Sequence, residues 1–156
     1  MAGERDLDKL LASLSPRLMD DDFVFCTIKD AKYGDFAELS PLASFREEEG
    51  LTLLLTKEKA DKAGFKYDSI FKCITLKVHS SLEAVGLTAA VSRQLADRGI
   101  SANVIAGYWH DHVFVPAERA DDAWSALKDL SRRHAERFRQ MADGRLGDGQ
   151  CFPPGL

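Results

Sequence analysis

The sequence predicts an α+β protein of the ferredoxin-like type, with helices covering one side of an antiparallel sheet. Three observations lead there. Apolar residues recur at helical spacing in separate stretches, runs rich in β-branched and aromatic residues lie between them, and no Ser/Gly-rich linker divides the 156 residues.

The elements follow in order. Leu7, Leu10, Leu11 and Leu14 share a helical face, Asp6 stands where an N-cap belongs, and Pro16 stops the helix. Phe23-Val24-Phe25-Cys26-Thr27-Ile28 reads as the first strand, between an Asp run and the turn-prone Tyr33-Gly34-Asp35. Residues 42–55 read as a hairpin whose tip carries Glu47-Glu48-Glu49 before Gly50, a solvated turn or a cation site. Lys57 to Ala63 forms a short helix closed by Gly64, and a strand over 71–79 buries Ile74, Leu76 and Val78 on one face. Leu87, Ala90, Val91 and Leu95 mark a helix closed by Gly99. Residues 102–109 and 112–115 then pair across a His110-Asp111 turn. Ala120, Ala123, Trp124, Leu127 and Leu130 mark a last helix over 119–131, with room to continue to Phe138. From Met141 onward Gly and Pro predict a poorly ordered tail, with a short strand conceivable at Gln150 to Phe152.

The second half therefore reads β-α-β-β-α. The first reads α-β-β-β-α before sharing the strand at 71–79. Neither is a complete β-α-β-β-α-β unit alone, so each is expected to lend a strand to the other, as an intertwined pair. The expected division is 5–68, 69–131, and a C-terminal extension over 132–156.

Composition narrows the function. Acidic residues outnumber basic ones, 25 to 21, and Lys and Arg are scattered apart from Arg132, Arg133, Arg137 and Arg139, so nucleic acid is disfavoured as a partner. That cluster falls on the last helix, where a solvated face accounts for it. No apolar run approaches the ~20 residues that cross a bilayer, and no signal-type segment opens the chain. Cys26, Cys73 and Cys151 form no C-x-x-C pair, which fits a reducing compartment, so a soluble, cytoplasmic protein without a membrane partner is expected.

For chemistry, His110-Asp111-His112 invites a metal or acid–base reading, since His residues two apart on a strand share a face. Zinc needs three or four ligands, however, and only His79 lies near in the motif. His79 and Ser80, as strand neighbours, point to opposite faces and make a poor dyad. No G-x-S-x-G, P-loop or G-x-G-x-x-G is present, so no catalytic residue, metal or cofactor is assigned, and the chain is not expected to be an enzyme.

A family resemblance sharpens this. Phe45-Arg46-Glu47 with Glu49-Gly50-Leu51-Thr52-Leu53, the stretch Val78 to Ala90, Leu95 to Val104, and Tyr108 to Pro116 together resemble the ACT-domain superfamily, in particular small tandem-ACT proteins. The resemblance spans about residues 5–130 and also relates the chain to the ACT pair of aspartate kinases. It implies two ACT-type halves that regulate by binding an amino acid or similar effector between domains, commonly as a homodimer or with a partner protein. No attached kinase, dehydrogenase or DNA-binding domain is read in the chain, so what is regulated is left open.

The strand-to-helix junction is the candidate site, because a helix N-terminus offers free N–H groups to a carboxylate. Ser80, Ser81, Glu83, Val85, Gly86, Leu87 and Thr88 would form it. Ser80 and Glu83 have capping-box spacing, and Gly86 permits close approach. A second wall would come from Asn103, Ile105 and Asp111, with Asp111 or Glu83 receiving an ammonium group. The bland account makes the same residues a capped junction, a solvent-facing Asn103 and an ordinary turn Asp111. A constitutive assembly module without ligand is the competing function.

Overall fold

The computed structural model describes residue 3, residues 6–78 and residues 80–144. Helix α1 (Leu7–Ala12) is capped by Asp6, whose carboxylate accepts from the Lys9 N–H at 3.1 Å. Strand β1 (Pro16–Ile28) runs through a register shift between Leu18 and Asp22. Strands β2 (Ala43–Glu47) and β3 (Gly50–Thr56) form the expected hairpin, with Glu47 opposite Gly50. Helix α2 (Lys57–Ala63) is capped by the Thr56 hydroxyl and ends on Gly64 at φ 73°, the left-handed turn that favours glycine. Then come β4 (Phe71–Leu76), α3 (Leu87–Ala96), β5 (Asn103–Ala106), β6 (Asp111–Pro116) and α4 (Ala120–Ala142).

All pairings are antiparallel, in the order β2-β3-β1-β4-β6-β5. The two halves interlock at the middle. β4 follows α2 in sequence, pairs with β1 and so supplies the fourth strand of the first half. Residues Pro16–Leu18 of β1 lie against Leu76–Ile74 and supply the same strand to the second. Two ferredoxin-like units therefore share one sheet, each completed by a strand of the other.

The helices occupy one side. Leu10 and Leu11 of α1 with Leu14 just after it, Val91 and Leu95 of α3, and Leu127 and Leu130 of α4 bury Ile74, Leu76, Val113 and Val115, while α2 lies over Val24, Cys26, Leu53 and Leu55. The Trp124 indole N–H donates to the Pro16 carbonyl at 3.0 Å, fixing α4 to the start of β1.

Among the described residues the opposite side carries no helix, yet it is also apolar. Phe23, Leu54, Cys73 and Phe114 are at most 3% exposed there, packed by Phe25, Ala43, Phe71 and Ile105, so that all six strands contribute. The sheet buries them by bending. Phe25 of β1 and Phe114 of β6 lie 5.7 Å apart, centroid to centroid, across the intervening β4. Burial pushes the Cys73 thiol up to about 11, so Cys73 is packing material and not a nucleophile.

Some boundaries differ from expectation. The first strand begins at Pro16 and not Phe23, because the register shift places exposed Asp20 and Asp21 within it and erases alternation. The second hairpin turns at Gly107-Tyr108-Trp109-His110, where the Gly107 N–H donates to the His110 carbonyl, so Asp111 belongs to β6. The last helix continues through Ala142, past the expected start of the tail. The strand suggested at 150–152 lies outside the described residues, as does His79.

Candidate functional site

The junction between β4 and α3 is built from tight turns. The Val78 N–H donates to Leu76, Ser80 to Val78 and Ala84 to Ser81, while the Ser81 hydroxyl accepts from the Glu83 N–H at 3.2 Å. The capping box expected of Ser80 and Glu83 is not what starts α3. Its N-cap is Gly86 at φ 101°, and among the described residues no side chain caps the first turn. Leu87 is buried at 3%, Thr88 is exposed, and Val85 and Leu82 project at 83% and 67% exposure.

Gly86 is not open space. A Cβ there would stand 2.9 Å from a methyl of Leu7, so α1 already covers this side of the junction. The close approach that Gly86 permits is made by the chain's own helix. The cavities on the opposite face of the sheet are lined by other residues.

Asp111 is the more informative group. It opens β6 opposite Leu76, at the end of β4 where the chain leaves for α3, and it shares a face with Val113 and Val115 on the helix side. At 7% exposure it is one of the few buried charged side chains. Burial holds its carboxyl above the usual range, and His112 and His110 oppose that only in part. An ordinary turn residue would be solvated; this one is a desolvated carboxylate without a cationic side chain bound to it among the described residues.

Asn103 and Ile105 fall elsewhere. They pair with Phe114 and His112 on the concave face, opposite to Asp111, so the expected second wall is divided between the two sides of the sheet. Alternation explains the division, because Asp111 and His112 are neighbours on one strand. His112 likewise turns to the concave face, its Nδ1 3.2 Å from the Thr75 hydroxyl, and burial lowers its pKa. His110 sits in the turn, so the two His do not form a strand pair. Among the described residues no group of three His, Cys, Asp or Glu is placed to hold a metal.

Sequence reasoning missed the concave face. Its signal was present, since Phe23 and Phe25 alternate with Val24 and Cys26 and leave no polar side to the strand. The arginine cluster is ordinary surface: Arg132 pairs with Asp129 and Glu136, and Arg133 donates to Gln94.

Comparison with known proteins adds the family context. Residues 2–72 and residues 69–129 each match a family model described as ACT domain. No curated protein matches the chain. A crystal structure of a protein of unknown function from Vibrio cholerae, described as a possible transport protein, is 54% identical, with a TM-score of 0.74, covering 80% of this chain and 95% of that one. The ligand-free regulatory subunit of aspartate kinase from Thermus thermophilus is 13% identical, with a TM-score of 0.53, over 76% of this chain and 98% of its own. E. coli aspartokinase III in complex with aspartate and ADP is 14% identical, with a TM-score of 0.52, over 75% of this chain and 32% of that protein. These last two likenesses are of fold.

Proposed function

Because the chain belongs to the ACT-domain family, with two such domains in tandem, we propose that it is a non-catalytic regulatory module whose effector is an amino acid bound at the β4–α3 end. The observation that carries this reading is the buried Asp111 carboxylate at the same end of the sheet as an uncapped helix N-terminus. An α-amino acid needs an anionic group for its ammonium and free N–H donors for its carboxylate, and these two features are complementary to it.

The same end exposes Leu82, Val85, Tyr108 and Trp109, more apolar surface than a free tip requires. A second copy packed there would close the site, so the proposed form is a homodimer with the effector at its interface, acting in the cytoplasm. Within the described residues no helix is long and apolar enough to cross a membrane. A second reading is an assembly module without effector, favoured by the Leu7 contact that fills the space beside Gly86.

Thermal shift against the twenty amino acids separates the two. A ligand at a hundredfold its Kd should stabilise the fold by about 2.7 kcal/mol. Asp111→Asn should abolish that response while leaving the protein folded. If no amino acid raises the melting temperature and the protein still sediments as a dimer, the assembly reading replaces the sensor.

A further inference from the structure

Two of the cavities on the concave face share Phe25 and lie away from the junction. The larger, about 460 Å³, is lined from β2 by Ala43 and Phe45 and from β5 by Ile105, over a floor of Phe25 and Leu54. These strands are the two edges of the sheet, five steps apart, which in a flat sheet would be about 24 Å. The bend therefore brings both edges to one apolar slot. A smaller cavity of about 330 Å³ shares Phe25 and adds Asp68, Ser69 and Asn103. Asn103 and Ile105 lie two residues apart on the same face of β5, so the polar end begins about 7 Å from the apolar slot.

We propose that this seam binds a small amphipathic molecule with an aliphatic or aromatic body and a primary ammonium head. The body would lie over Phe25, Leu54 and Ile105, and the head would meet the Asp68 carboxylate and the Asn103 side-chain carbonyl. Asp68 is exposed and has no hydrogen bond or ion pair within the described residues, so its charge is available. Phe45, 71% exposed at the lip, would be covered by the ligand. The volume falls in the range of about 300–1,000 Å³ that small-molecule pockets occupy. A second copy fits less well: Leu54 and Phe114 are already 1% exposed, and what remains is a slot between edges, not the broad patch of about 800 Å² that a stable dimer covers on each partner. This site is separate from the Asp111 end and does not rest on it.

The test uses octylamine and octanoate as probes on the full-length protein, followed by amide NMR shifts and calorimetry. Octylamine should bind saturably, moving the resonances of Phe25, Thr52 and Ile105, and about tenfold more tightly than octanoate, since a charge-assisted bond favours the amine. Asp68→Asn, at an exposed position, should erase that preference. Ala43→Phe should fill the slot and abolish binding of both. Asp111→Asn should leave octylamine binding unchanged. Absence of saturable binding by either probe overturns the proposal, and so does equal binding that Asp68→Asn does not alter. Shifts at these residues that follow protein concentration and not probe concentration would assign the seam to a second copy instead, and overturn it equally.

Discussion

Asp111 shows what one residue can cost and contribute. A carboxyl whose pKa is raised by burial is held in the fold more easily as the neutral acid than as the anion. The folded protein therefore binds its proton more tightly than the unfolded chain, and the penalty is absent below the unfolded pKa and present in full above the folded one. At neutral pH the unliganded protein carries that penalty, so Asp111→Asn should raise the melting temperature at pH 7. The gain should fade as pH falls toward the ordinary carboxylate range. An ammonium group beside the carboxylate would remove the penalty, so a variant that is more stable and unresponsive to amino acids is the expected signature of a binding residue. A variant less stable than the parent at pH 7 would show that Asp111 supports the fold. Gly86 is different. Its φ of 101° is a conformation that L side chains rarely adopt, and Leu7 stands against the missing Cβ. Gly86→Ala should cost about 1–3 kcal/mol in denaturant unfolding, so its effect on ligand response would report packing as well as access. Glycine here was legible as a special position, but its neighbour α1 was not, because that contact spans some eighty residues.

At the scale of elements, helices were the most readable and β1 the least. The stripe Ala123, Ala126, Leu127 and Leu130 on α4 is buried as its 3.6-residue spacing requires. Leu127 is fully buried between this helix and its neighbours, and Leu127→Ala should lower unfolding free energy by about 2–5 kcal/mol, as large-to-small changes in tight cores do. Trp124→Phe keeps most of the ring but loses the bond to the Pro16 carbonyl, and should cost about 1 kcal/mol in the same measurement. A loss from Leu127→Ala no greater than that from Trp124→Phe would mean that α4 is held mainly by its surface. β1 hid its first half because hydrophobic alternation fails at a register shift lined by aspartates. The β5–β6 turn hid because Tyr108 and Trp109, good strand formers, sit at its exposed tip. At the proposed β4–α3 site the sequence grouped Asn103 and Ile105 with Asp111 as one wall, whereas their register with Phe114 and His112 sets them on the opposite face, since which face a strand residue takes depends on pairing that sequence spacing does not fix.

For the whole molecule, the sharing of strands was visible in the element order, while the bend that creates the concave core was not. Neither half contains four strands of its own, which suffices to infer exchange; curvature arises only when six strands twist together over Phe23, Phe25 and Phe114. The exchange has a consequence for folding. Separating the chain between residues 68 and 69 leaves the first fragment without β4 and exposes Leu10 and Leu11 of α1 and the adjoining Leu14, whose partners lie on α3 and α4. The second fragment loses Pro16–Leu18 beside β4 and uncovers Cys73 and Phe114. At 68 residues the first fragment is below the ~70–80 at which a single core supplies more than about 3–5 kcal/mol, and the second, at 88 residues, lacks β1, the strand that pairs with β4, so each half should lack a cooperative thermal transition by circular dichroism. Mixing them should restore one, because both central strands then find their partners. Cooperative melting of either fragment alone, near the temperature of the parent, would mean that the halves are independent domains resting side by side, and the interlocked core would then be a consequence of their contact and not its cause.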